Sequence, residues 1–270
     1  MLFYKLLKKP FFGNFMVRWR NPLTETQQQA WQPVSVRSQS GGTLVGLFAM
    51  AQTDSPKATI VCGHPMGKEA KGYFLKNGYT DLLLEHGYHV LIFDINGFGE
   101  SSHGNFFYFH DIVAIGQKAK TLTPNLPIGY HGISLGGQWA TIAFADEAHC
   151  FDFAIVESAA TTLAEFWVHF PVAHRTLGVF NALFPKIKRK ISMIDRIKEA
   201  RGLKSILWIY SHADVWTPVA MGERYIKNCP IPSELWTVQD AKHAMMMKSS
   251  HQAAYQDKLI AYFDGAVSQV

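Results

Sequence analysis

Tyr130-His131-Gly132-Ile133-Ser134-Leu135-Gly136-Gly137-Gln138-Trp139 is the stretch on which the reading of this chain turns. Its Gly-x-Ser-x-Gly spacing sets a serine on a sharp strand-to-helix turn, with the hydroxyl held clear of the backbone. Such a turn holds the serine in a strained conformation. The residues two before and two after it are expected to crowd each other, which favours glycine at both. Gly137 then lets the new helix start close against the strand. A pentapeptide alone is a weak signal, so the weight falls on whether the rest of the chain supplies the setting.

Working outward, short β-type runs start at residue 33. Val34–Ser38 and Leu44–Met50 flank Gly41-Gly42, which reads as a hairpin. Ala58–Gly63 and Val90–Asp94 are uninterrupted apolar runs, the pattern of strands buried on both faces. Further strands are read at Ile128–His131, Phe153–Val156, Ser205–Tyr210 and Glu234–Val238. Helices are expected at about 72–86, closed by Gly87, and at 111–121, 137–147, 219–228 and 252–263. Strands alternating with helices at this spacing predict an α/β fold with a mostly parallel sheet and right-handed crossovers. The alternation stops between residues 158 and 200. This segment is helix-leaning, broken by Pro171, Gly178 and Pro185, aromatic first and basic later. Its apolar content argues for a helical cap rather than a disordered loop. The organisation is therefore an arm (1–32), a core (33–157 and 201–270) and a cap (158–200).

Composition bounds the function. Of the 270 residues 48% are apolar and 17% charged, which excludes a mostly disordered chain. The net charge of +5 comes with no basic stripe interleaved with stacking aromatics, so nucleic acid is not an expected partner. Cys62, Cys150 and Cys229 make no CxxC pair and no zinc spacing, and their odd number fits a reducing, cytoplasmic compartment. No apolar segment reaches the roughly 18 residues needed to span a bilayer. The arm, rich in Phe, Leu, Lys and Arg, carries two readings. One is a short helix and extended arm packed on the domain with its bases in water; the other is an interfacial membrane anchor.

A serine hydroxyl needs a base within hydrogen-bond reach, itself oriented by a carboxylate. In open parallel sheets such groups gather at the carboxyl ends of strands. His243 follows the last strand by a short loop and Asp214 follows the 205–210 strand, which gives the order Ser134…Asp214…His243. Taken singly, Asp214 reads as a turn former or helix cap ahead of Thr217-Pro218, and His243 as a surface residue. A tetrahedral intermediate needs two N–H donors. Leu135 offers one; the loop Gly63-His64-Pro65-Met66-Gly67 offers the other, at Met66 and next at Gly67, since Pro65 has no N–H. His64 is a rival base. Gly97-Phe98-Gly99 fails as a dinucleotide motif because Ser102 stands at the third glycine position, and no cofactor or metal constellation is read.

From about residue 33 to the end the chain resembles the α/β-hydrolase superfamily. The resemblance rests on Gly63-His-Pro-Met-Gly67, Asp94-Ile-Asn-Gly-Phe-Gly-Glu-Ser101, Gly132-Ile-Ser-Leu-Gly136, Asp214-Val-Trp-Thr-Pro218 and Lys242-His243. It implies Ser134 as nucleophile, His243 as base, Asp214 as acid, Met66 and Leu135 as oxyanion donors and 158–200 as the cap. Pro65 departs from the usual His-Gly of that loop, and Glu157 is a rival acid because some relatives carry the acid there. The expected function is hydrolysis of a small-molecule carboxylic ester or thioester. An apolar acyl pocket is expected from Phe166, Trp167, Phe170 and Met245, with Met246 and Met247 either beside it or in the core. An acyltransferase, a peptidase using Glu165 for a substrate ammonium, and a binding protein on the same scaffold are the alternatives. Lys186–Lys190 reads as a solvated helix face or as a site for phosphates or anionic headgroups.

Overall fold

The computed structural model describes residues 2–19 and 21–270. Eight strands form one sheet: β1 (Gln32–Arg37), β2 (Thr43–Ala49), β3 (Ala58–Gly63), β4 (Tyr88–Phe93), β5 (Ile128–Ile133), β6 (Phe153–Glu157), β7 (Ser205–Ser211) and β8 (Ser233–Val238). Their spatial order is β1-β2-β4-β3-β5-β6-β7-β8. The β1–β2 and β2–β4 pairs are antiparallel and every other pair is parallel. The chain steps from β3 outward to β4, then crosses back over β3 to β5. The carboxyl ends of β3 and β5 therefore flank the point where winding reverses, where a crevice forms in open sheets.

The arm holds α1 (Leu2–Phe12) and α2 (Glu25–Gln28). Next come α3 (Gly72–Lys76), α4 (Tyr79–Glu85), α5 (Phe109–Leu122) and α6 (Leu135–Ala143). Between β6 and β7 lie α7 (Leu163–Trp167), α8 (Pro171–Leu183), α9 (Pro185–Lys190) and α10 (Met193–Arg196); α11 (Val219–Asn228) and α12 (Gln252–Val267) complete the chain. Side chains of α3, α4 and α12, including Phe74, Tyr79, Tyr255 and Phe263, pack on Ile60, Cys62, Val90 and Ile92. Those of α5, α6 and α11, including Ile112, Trp139 and Tyr225, pack on the opposite face with Val61, Leu91 and Phe93. Both faces of the central strands are dry, which is why β3, β4, β6 and β7 read as mostly apolar runs rather than alternations.

Several expected boundaries shift for local reasons. The helical stretch at 72–86 is two helices, because Gly78 takes a left-handed φ of 75° between them. The helix expected from 137 starts at Leu135, with Ser134 itself as its N-cap. Pro171 and Pro185 do not interrupt helices but open α8 and α9, where a missing N–H costs nothing. Gly178 lies inside α8 without breaking it. The arm packs on the domain, but not with all its bases in water. Lys8 is buried, donating to the backbone and side-chain oxygens of Asn96 and lying 4.4 Å over the Tyr108 ring.

Candidate active site

Ser134 adopts φ 50°, ψ −108°, a conformation that non-glycine residues avoid. The turn is clamped by neighbours on three strands. Ser134 N–H donates to Glu157 O at the end of β6, Gly136 N–H donates to His64 O after β3, and the Tyr130 hydroxyl donates to Gly136 O. The glycines are needed, but not because they crowd each other. A Cβ on Gly136 would lie 2.1 Å from Gly63 O, and one on Gly132 would lie 2.8 Å from Gly137 Cα. Strand β3 thus presses on one side of the turn and the new helix on the other. Ser158 and Ala244 also take left-handed φ values, of 50° and 53°, directly after Glu157 and His243. Strain is concentrated where the strand-end loops converge.

The three residues expected to cooperate are brought together. His243 Nε2 lies 2.8 Å from Ser134 Oγ, and Nδ1 lies 2.8 Å from Asp214 Oδ2. An ionised carboxylate only accepts, so Nδ1 carries the proton and Nε2 presents a lone pair to the serine hydroxyl. Asp214 is buried and fully answered: Oδ1 accepts from the N–H groups of Trp216 and Thr217, and Oδ2 from the Thr217 hydroxyl as well as His243. Burial alone would push its carboxyl upward, but His243 and Thr217 outweigh that and hold it below the usual carboxylate range. Asp214 therefore makes a local turn and orients the imidazole with one side chain.

Met66 lies in the loop after β3, which is tied to the serine turn by the Gly136 N–H to His64 O bond, and Leu135 follows Ser134 at the start of α6. Among the described residues neither N–H has a protein acceptor. The Pro65 departure is accommodated by His64. Ile95 N–H donates to His64 Nε2 at 3.1 Å, so the proton sits on Nδ1 and donates to Pro65 O at 2.8 Å. Burial holds His64 below its ordinary value, and both nitrogens are engaged, so it is a loop anchor and not the rival base. The same loop is braced further along by Asp94. Its carboxylate accepts from Lys71 N–H, Lys71 Nζ and Glu100 N–H, and Lys71 Nζ lies 4.0 Å from the Trp19 ring centre.

The rival acid Glu157 points away. It is buried beneath the sheet edge, accepts from the Tyr255 hydroxyl and lies 3.8 Å from His131, with no contact to His243. Of the expected acyl-pocket residues, Phe166 and Trp167 are buried and Phe170 half-buried, with the Phe166 ring 6.3 Å from that of His243. Met245 is exposed, whereas Met246 and Met247 are buried in the core below the sheet. Trp216 was not foreseen as a site residue. Its ring lies 6.3 Å from His243 and 4.9 Å from Phe170, and it also lines a shallow groove of about 440 Å³ shared with Val168, His169 and Met221. Its place two residues after Asp214 was the available signal. Ser134 and His243 do not line that groove, and Ser134 is only 3% exposed.

Comparison with known proteins agrees with this architecture. Among solved structures, the esterase Pf2001 of Pyrococcus furiosus superposes with a TM-score of 0.70 at 17% identity, over 92% of this chain and 96% of its own. The acylaminoacyl peptidase of Pyrococcus horikoshii gives 0.65 at 17% identity, over 90% of this chain and 44% of that one. Uncharacterized protein YqkD of Bacillus subtilis (strain 168) is 29% identical over 223 residues, which span 73% of this chain and 68% of YqkD. Residues 54–208, more than half of the chain, match the family described as serine aminopeptidase, S33. With its mostly parallel eight-stranded sheet flanked by helices, the chain has the α/β-hydrolase fold and belongs to the serine aminopeptidase S33 family.

Proposed function

We propose that the protein is a serine hydrolase that cleaves a carboxylic ester or thioester with an apolar acyl group, through an acyl-enzyme on Ser134. The observation that carries this reading is the run of hydrogen bonds from Asp214 through His243 to Ser134, 2.8 Å at each step. Nε2 takes the serine proton as Oγ attacks the carbonyl carbon, and the imidazolium so formed lies against the ionised Asp214. The N–H groups of Met66 and Leu135 receive the oxyanion, each donor contributing about 2.7–4 kcal/mol to the transition state. The proton then passes from Nε2 to the departing alkoxide or thiolate. Water gives a proton to the same nitrogen, attacks the acyl carbon and restores Ser134.

In this reading residues 158–200 are a cap over the serine, and Phe166, Trp167 and Phe170 with Trp216 supply the apolar wall for the acyl chain, Met245 lying at its rim. Glu165 favours an ester over an N-terminal peptide. One of its oxygens pairs with Arg224 at 2.6 Å and the other accepts from Thr161 and Thr162, so it is not free to hold a substrate ammonium. Three free thiols, Cys62, Cys150 and Cys229, support a reducing compartment such as the cytoplasm.

The test is hydrolysis of nitrophenyl esters from acetate to palmitate by the wild type and by Ser134→Ala. The expected result is a rate that peaks at one acyl length and falls about 10⁶-fold in kcat in the variant. Activity that survives the substitution would show that another group is the nucleophile.

A further inference from the structure

Two segments far apart in sequence contain no acid at all. Residues 1–24 and 166–194 together hold ten of the 26 Lys and Arg and none of the 21 Asp and Glu, which leaves the rest of the chain with 16 bases against 21 acids. The fold puts these segments side by side. Helix α1 packs against α8, and the rings of Phe11 and Phe12 meet that of Trp167 at 5.4 and 5.5 Å.

Both segments turn apolar side chains outward. On the α7–α8 segment Val168, Val172, Val179 and Leu183 fall four, seven and four residues apart, one helical stripe opposite the buried Ala173 and Leu177. On α1, Phe3, Leu6 and Leu7 make a second stripe, turned away from the buried Lys8 and Phe12. These seven side chains are 44–70% exposed. Exposed bases border them: Lys5 and Lys9 on α1, Arg175 on α8, and Lys186, Lys188, Arg189 and Lys190 on α9.

We infer that this surface docks on an anionic lipid bilayer, with the two apolar stripes in the acyl boundary and the bordering bases at the headgroups. Helices that lie in a membrane interface combine an apolar face with Lys and Arg beside it, and the long basic side chains reach up to the phosphates while their stems stay in apolar surroundings. A second copy of the chain does not fit. A two-fold contact would set this all-positive surface against itself. Nucleic acid would answer the charge but leave the aliphatic stripes in water. Among the described residues no helix is long and apolar enough to cross a membrane, so the attachment is peripheral.

Flotation of the full chain with vesicles of phosphatidylcholine and phosphatidylglycerol, against vesicles of phosphatidylcholine alone, tests this. The expected result is binding to the anionic vesicles only, weakening as salt rises. Reversing two bases in Lys188→Glu/Arg189→Glu is expected to lower the partition coefficient at least about tenfold. Val172→Asp/Val179→Asp is expected to do the same while leaving the circular dichroism melt unchanged, since these side chains point into water. Failure to float with anionic vesicles at low salt would overturn the inference, as would flotation that neither pair of substitutions reduces. A dimer in sedimentation velocity that Val179→Asp dissolves would reassign the surface to self-association.

Discussion

The carboxyl edge of the sheet and the helical segment between β6 and β7 follow opposite rules. At the edge every neighbour is fixed: Asp214 accepts four hydrogen bonds, His64 uses both ring nitrogens, and the serine turn is tied to β3 and β6. In that segment α8 buries little more than Ala173 and Leu177 and leaves valines and a leucine in water. Groups that must hold reacting atoms within a few tenths of an ångström need that surplus of restraints. A segment that acts as a cap, as proposed for 158–200, needs only to be in place, so substitutions should have graded effects, steep at the edge and shallow in α8.

After removal of the serine itself, the steepest effect is expected from Asp214→Asn. The amide oxygen can still accept from Trp216 and Thr217, so the loop keeps its shape, but the amide favours the wrong imidazole tautomer. We expect kcat for the best ester to fall about 10⁴-fold with the melting curve little changed. A loss below tenfold would mean that Asp214 only builds the turn.

A pair of identical substitutions sharpens the contrast. Gly136→Ala would drive a methyl group into Gly63 O, backbone that cannot move aside, and is expected to cost about 3 kcal/mol or more together with activity. Gly178→Ala in α8 meets nothing within 4 Å and has ordinary helical geometry, so it should stabilise the chain by about 0.5–1 kcal/mol. Urea unfolding of the two variants measures both. Equal effects would mean that the edge of the sheet and α8 are packed alike.

These positions also show what was legible in the sequence. Strands β3, β4, β6 and β7 were readable because burial on both faces leaves a mostly apolar run, and Ser134, Asp214 and His243 each follow a strand directly or within a short loop. Ser134, Asp214 and His243 therefore could be paired by order alone. What presses on Gly136 could not, since Gly63 is 73 residues away. The same holds for Trp216, whose ring packs on Phe170 of the segment between β6 and β7, and for His64, whose nitrogens are assigned by Ile95 and Pro65. The exposed stripe of α8 hides for a different reason: a heptad of valine and leucine reads as core until its partner is looked for.

Beneath His243 the edge has a support that a smaller change should reveal. Tyr73, on α3, donates its hydroxyl to Ala244 O at 2.6 Å, next to the catalytic candidate and at a residue held in left-handed backbone. Tyr73→Phe leaves that carbonyl unanswered, and the expected cost is about 1–3 kcal/mol of stability. If Tyr73 positions His243, kcat should fall about tenfold while KM for a short ester holds, because the ring is remote from the acyl wall. A loss of stability with unchanged kcat would make it a structural hydrogen bond only.

A pH-dependent effect is expected where the arm meets the core. Burial brings the Lys8 amine down to about 7, with Asp111 opposing the shift, from a usual value of about 10.4. Between these two values the unfolded chain holds a proton that the folded chain has released, so stability rises with pH across that window. Below pH 7 both states are protonated and the cost of a buried ammonium is present in full. Lys8→Met removes the titrating group and keeps the buried stem, while Asn96 Oδ1 retains the Gly104 N–H as donor. The variant should therefore melt higher than the wild type near pH 6, and the difference should shrink steadily by pH 9. Parallel melting curves across that range would mean that Lys8 stays charged in place, held by Asn96 and the Tyr108 ring, and that the arm is as tightly answered as the edge it leans on.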